Sequence, residues 1–180
     1  MKWMIASDIH GSLYYCRKML ELFEKEKAER LILLGDILYH GPRNDLPREY
    51  NPREVIRLLN QMPEKILCVR GNCDTEVDQM VLKFPILADY AVFVWGERTV
   101  YATHGHRWNP SCPPPMVKGD ILLNGHTHIP AWDVTGDFLY MNPGSVSIPK
   151  EDSGHTCMIV KDDVCHLKDL EGNIIWKKEL

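Results

Sequence analysis

The stretch WMIASDIHGS, residues 3–12, decides how this chain is read: a short apolar run is cut off by Asp8, and His10 and Gly11 follow at once. Such a run bounded by turn residues is a buried strand. Ser12 then offers an N-cap, and Cys16, Met19, Leu20 and Phe23 recur at helical spacing behind it. The pattern repeats. RLILLGD (30–36) is a second buried strand ending in Gly and Asp. NPREVIRLLNQ (51–61) predicts a second helix, with Asn51 as N-cap, Pro52 at the first helical position and Glu54 placed for a capping box. KILCV (65–69) is the third strand, and it runs into RGNCDTE (70–76).

A β-α-β-α-β order with right-handed crossovers gives parallel strands whose carboxyl ends share one edge. Asp8, Asp36 and Asn72 follow those three ends, so they converge. From residue 91 on, AVFVW, TVYATHG, DILLNGHTH, FLYMN, HTCMIV, VCHLK and NIIWKK are short β-like runs between turn residues. They predict a second, mostly antiparallel sheet packed on the first, with residues 1–180 forming one domain. NPSCPPP (109–115) reads as a rigid, extended surface loop.

Composition narrows the function classes. At 180 residues the chain is long enough to bury about 70% of the surface its unfolded form exposes. The net charge is -4 and the pI about 6.0, with Lys and Arg scattered, so no stable nucleic-acid binding is expected. No apolar run approaches the roughly 18 residues of a membrane span, and the N-terminus turns polar too early for a signal peptide. A cytoplasmic location and no membrane partner follow as expectations. The cysteines, at 16, 68, 73, 112, 157 and 165, form no CxxC pair, which argues against a disulfide framework or a zinc ribbon.

The histidines are distributed differently. His10, His104, His106, His126 and His128 all sit in Gly-containing segments that follow apolar runs. In order, the strand-end motifs are D-x-H at 8–10, G-D at 35–36, G-N at 71–72, T-H-G-H at 103–106 and G-H-T-H at 125–128. Carboxylate, amide oxygen and imidazole nitrogen are donors for a borderline-hard divalent ion, and residues two apart in an extended segment point to one side. One such motif alone is an ordinary turn or cap. Seven candidate ligands at successive strand ends exceed one tetrahedral ion and suit two ions sharing a carboxylate, about 3.5–4 Å apart.

DIHG, GD, GNCD, THGH and GHTH resemble the successive motifs of the calcineurin-like metallophosphoesterase superfamily. GDILYHGPRN, VRGNCDTEVDQM and NPGSVSIPK are also similar to small bacterial phosphodiesterases of the YfcE type. This resemblance implies an α/β fold, a four-layer αββα sandwich of two mixed β-sheets flanked by helices. Carried over to this sequence, it assigns Asp8, His10 and His128 to one metal and Asn72, His104 and His126 to the other, with Asp36 bridging. It also marks Asn72, Cys73 and Asp74 as candidate catalytic residues. The implied reaction is phosphodiester hydrolysis by a metal-bridging hydroxide, with no protein nucleophile. Ligand histidines must be neutral, so activity should fall as pH drops toward about 6.5. The donor set favours manganese over zinc, with iron, nickel and magnesium also compatible.

Two motifs depart from the wider family pattern. Relatives carry His in G-N-H-D, whereas Cys73 stands here, and Tyr39 and His40 replace the Asp and Arg of G-D-x-x-D-R-G. Both changes remove a cation or proton donor from the substrate side. A monoester carries nearly two negative charges and a diester one, so diester cleavage is favoured and monoesterase activity should be weak. Cys73 itself is open to reading as a nucleophile, a metal ligand or a plain wall of the phosphate pocket. His40, Arg43 and His106 are the candidate substrate-binding residues, and Arg70 is expected to be structural. The expected partner is a small-molecule phosphodiester. A homo-oligomer is a further expectation, with Trp176 in the apolar tail NIIWKKEL as an interface residue. The alternative class is a protein-interaction scaffold, since the fold also includes a retromer-type subunit that has lost metal ligands.

Overall fold

The computed structural model describes residues 1–180. The first half follows the expected alternation: β1 (Trp3–Ala6), α1 (Leu13–Lys25), β2 (Arg30–Leu33), α2 (Pro52–Leu59) and β3 (Ile66–Cys68). Ser12 caps α1 by accepting from the Tyr15 N–H, and Asn51 caps α2 by accepting from that of Glu54. The expected capping box at α2 is not made, because the Glu54 carboxylate pairs with Arg57 at 2.8 Å instead. A capping box does form at Thr75 and Asp78, where it starts a short helix, α3 (Glu76–Val81), that the sequence pattern had not suggested.

The remaining strands are β4 (Tyr90–Trp95), β5 (Arg98–Thr103), β6 (Ile121–Leu123), β7 (Pro130–Thr135), β8 (Phe138–Pro143), β9 (Thr156–Lys161), β10 (Val164–Asp169) and β11 (Ile174–Glu179). They divide between two mixed sheets. One has the order β11-β10-β9-β1-β2-β3, the other β4-β5-β6-β8-β7. β1, β2 and β3 are parallel, as the crossovers require. The last three strands correct the sequence reading: they extend the first sheet, β9 running antiparallel to β1, and do not belong to the second. β9 is buried on both faces because Cys157 and Ile159 pack toward the helices while Met158 and Val160 pack toward the other sheet. A continuous apolar run is the mark of such a central strand.

The second sheet is also less antiparallel than expected. β5, β6 and β8 are parallel, and only the edge strands β4 and β7 run against them. The core lies in two layers that alternate along each strand of the first sheet. Met4, Ala6, Leu31 and Leu33 meet Met19, Phe23, Val55 and Leu59 of α1 and α2, whereas Ile5 and Ile32 meet Val100, Ala102, Ile121 and Leu123 of the second sheet. The architecture is the α/β sandwich of two mixed sheets that was expected, with few flanking helices; their buried residues pack on the first sheet. Trp176 is half-buried and packs on Trp132 of the second sheet, ring centroids 5.5 Å apart. No helix is long and apolar enough to cross a membrane.

Candidate metal centre

The carboxyl ends of β1, β2 and β3 meet those of β5 and β6, and all seven expected ligands hang from these ends. Five of them, Asp8, His10, Asp36, His126 and His128, adopt positive φ between 48° and 67°. This left-handed region is unfavourable for a residue with a Cβ, least so for Asp, Asn and His, and is held only where the surroundings impose it. The surroundings are hydrogen bonds between the turns. The His10 N–H donates to Asp36 O (2.9 Å), and the hydroxyls of Ser145 and Ser147 both donate to Asp8 O (3.0 Å). Backbones also approach closely. A Cβ on Gly71 would lie 2.1 Å from Asp36 Oδ1, so only glycine fits there.

The side chains then face one another. His128 Nε2 is 3.2 Å and His10 Nε2 3.6 Å from Asp8 Oδ1, and the two imidazole nitrogens are 3.4 Å apart. Asp36 Oδ2 is 3.4 Å from His104 Nε2 and 3.8 Å from His10 Nε2, which sets it between the two groups. His104 Nε2 is 3.0 Å from Asn72 Oδ1 and 3.2 Å from His126 Nδ1. The Nδ1 atoms of His10, His104 and His128 lie 2.7, 2.6 and 2.5 Å from the carbonyls of Tyr39, Leu34 and Ile148. An Nδ1–H donated to each carbonyl directs the Nε2 lone pair into the cluster, as a metal-binding histidine needs.

This donor set fits divalent cations. Asp8 Oδ1 is fully buried yet accepts no hydrogen bond, and lone pairs from two rings converge on it. Buried carboxylates require compensating charge, and neither Asp8 nor Asp36 pairs with a Lys or Arg. In the protein alone, protons fill the gap. Burial pushes the His104 imidazole down, but the Asp36 hydrogen bond and the charges of Asp8 and Asp36 raise its pKa to about 9. Burial likewise opposes ionisation of Asp8, yet the adjacent imidazoles of His10, His128 and His104 hold its carboxyl well below the usual range. The triads Asp8, His10, His128 and Asp8, Asp36, His104 each bring their ligand atoms within 4.8 Å of one another, as do His10, Asp36 and Cys73.

The substrate-side expectations fare less evenly. Cys73 lines a cleft of about 390 Å³ above the cluster, its N–H donating to Asp36 Oδ1 at 2.8 Å and its Sγ accepting from Asn72 Nδ2 at 3.3 Å. Burial and the nearby Asp36 and Asp74 carboxylates push the thiol up, which favours its protonated form. Asp74 is not among the residues that line the cleft. Its carboxylate is buried and accepts from the N–H groups of Asp36, Ile37 and Gly71, so it braces the turns and does not face the cleft.

Arg43 lines the cleft as expected. His40 and His106 do not. The His40 ring packs edge-on against Tyr39 and Tyr50, and the His106 ring stands 5.4 Å from that of His104 and 6.2 Å from that of His126. Arg70 is structural, its Nε donating to Asp74 O and its guanidinium beside Glu76. Asn44 and Lys150 line the cleft without having been singled out, because neither belongs to a strand-end ligand motif. The only advance signal for Lys150 was its place at the end of NPGSVSIPK.

The description "calcineurin-like phosphoesterase superfamily domain" is matched by residues 1–163. Phosphodiesterase YfcE of Escherichia coli K12 is 46% identical over 164 residues, which is 91% of this chain and 89% of that protein. A solved structure of Yfce, a phosphoesterase from E. coli, is similar at a TM-score of 0.96 and 43% identity, covering 99% of each chain. Phosphodiesterase MJ0936 of Methanocaldococcus jannaschii is 27% identical over 153 residues, 80% of this chain and 83% of that one.

Proposed function

Since this chain belongs to the calcineurin-like phosphoesterase superfamily, we propose that it is a metal-dependent phosphodiesterase, acting as one domain of residues 1–180 on small-molecule phosphodiesters. The observation that carries this reading is the continuous run of oxygen and nitrogen donors from the unpartnered Asp8 Oδ1, with His10 and His128, through Asp36 to His104, Asn72 and His126. Asp8, His10 and His128 would hold one divalent ion, Asn72, His104 and His126 a second, and Asp36 both. Divalent ions held there would supply charge to offset that developing on the phosphoryl oxygens, and would lower the pKa of water for hydrolysis of the diester.

The chain's own residues prepare that site. Carbonyl partners at Nδ1 keep His10, His104 and His128 oriented, with Nε2 turned into the cluster. Asp74, Ser145 and Ser147 hold the ligand turns in their left-handed conformations. Cys73 shapes the wall beside the cluster without supplying a positive charge, which leaves a dianionic monoester poorly matched and makes monoesterase activity weak. Manganese suits the oxygen-rich donor set, and the ordinary acidic surface is in keeping with a cytoplasmic enzyme that holds no nucleic acid. Self-association into a homo-oligomer remains part of the proposal.

The test is metal analysis of the purified protein together with hydrolysis of bis-p-nitrophenyl phosphate in added manganese. Bound metal and manganese-dependent release of nitrophenol are expected. A protein that retains no metal and stays inactive with manganese would instead be a scaffold of the same fold.

A further inference from the structure

The cleft over the metal cluster is almost wholly polar: Pro42 is its only apolar side chain, and no Phe, Tyr or Trp lines it. It therefore offers no platform on which a nucleobase or an acyl chain would rest. It does carry two cations. Arg43 stands on the turn 41–44, which is pinned where the Asn44 amide donates to His40 O at 2.8 Å and which brings Gly41 close to Cys73. Lys150 enters from the segment after β8, its backbone N–H donating to His128 O at 3.2 Å. Both side chains are exposed to solvent, and neither makes an ion pair or a side-chain hydrogen bond.

We propose that Arg43 and Lys150 recognise a negatively charged group on the alcohol arm of the substrate, so that this enzyme selects small hydrophilic phosphodiesters bearing a second anion, a carboxylate or a phosphate. The proposal rests on the diesterase reading above and adds the substrate class to it. The scissile phosphate lies over the metal ligands at the floor. The arm it carries must leave along the walls, where the free charges are these two cations. A guanidinium presents a planar pair of donors and an ammonium a point charge, and both suit carboxylate or phosphate oxygens.

The experiment uses three p-nitrophenyl phosphodiesters with the same leaving group, whose second arm is ethyl, choline or 2-carboxyethyl, assayed on the manganese-loaded enzyme. kcat/KM is expected to rise about tenfold from the ethyl to the carboxyethyl arm and to be lowest for choline, a size in keeping with two partly solvated ion pairs. In the double variant Arg43→Gln, Lys150→Gln the carboxyethyl-to-ethyl ratio should collapse to about one, and 0.5 M salt should shrink it in the wild type. Equal values for all three arms, or a preference that survives in the double variant, would overturn the proposal.

Calorimetric binding of the matching methylphosphonate esters separates the two readings. If none of the diesters is hydrolysed but the carboxyethyl methylphosphonate still binds tighter than the ethyl one, and only with Arg43 and Lys150 present, charge selection stands and the diesterase reading fails. Equal binding of the two removes the charge selection itself.

Discussion

Asp36, at the end of a strand of the first sheet, lies 3.4 Å through its Oδ2 from Nε2 of His104, at the end of a strand of the second. The pair ties the two sheets together at the one place where both present their carboxyl ends. It sits between the Asp8, His10, His128 group and the Asn72, His104, His126 group, so its loss should be felt by both.

Asp36→Ala and His128→Ala are therefore expected to lower diester turnover by at least about a hundredfold, in line with removal of a metal ligand or its close support. The far-ultraviolet circular dichroism should stay near wild type, because these side chains contribute little to either core layer. Near-normal turnover by either variant would refute the two-metal assignment.

A second expectation concerns protons. In the metal-free protein the His104 pKa is raised from 6.5 to about 9 by its carboxylate neighbours. A raised imidazole stabilises the fold fully below its unfolded value, and that contribution fades as pH climbs through the folded one. A metal ion must displace this proton. Manganese binding at pH 8 should thus release a proton, seen by titration calorimetry in buffers of different ionisation enthalpy, and the release should vanish above about pH 10. No release at pH 8 would show that His104 is not a ligand.

Selectivity turns on Cys73. Replacing the neutral thiol by an imidazole, Cys73→His, adds a donor that is cationic when protonated beside the phosphate site, and should raise monoester hydrolysis relative to diester hydrolysis. Cys73→Ala should keep substantial diesterase activity. An inactive alanine variant that still holds two metals would make the thiol catalytic.

Asp74 should behave as a brace. Asp74→Ala leaves the N–H groups of Asp36, Ile37 and Gly71 without their acceptor, a loss of roughly 2–4 kcal/mol for buried donors. Chemical denaturation should show that loss, and metal affinity should weaken with it as the Asp36 turn relaxes. Unchanged stability with lost activity would return Asp74 to a direct catalytic role.

How far the sequence reaches can be followed residue by residue. The order strand, helix, strand, with Asp8, Asp36 and Asn72 just past each apolar run, was enough to predict parallel pairing and the shared edge, since both follow from local period and crossover handedness. The histidine motifs marked the donors that converge at that edge for the same reason. Glu54 and Thr75 mark the limit of such local signals: the helix at Asn51 forms without its capping box because Glu54 finds Arg57, while an equivalent box at Thr75 starts a helix with no apolar stripe.

What only the tertiary structure decided is everything that depends on long-range partners. β9 to β11 join the first sheet because a strand apolar on both faces needs two layers to cover it, and sequence period does not say which sheet supplies them. His40 and His106 turn away and Lys150 turns in because a side chain's direction from a loop is fixed by contacts far along the chain. Asp74, adjacent to Cys73, accepts from the amides of Asp36 and Ile37, partners far along the chain that no local pattern specifies. Local chemistry named the donors, and the packing of two sheets determined which of their neighbours face the substrate and which hold the site in place.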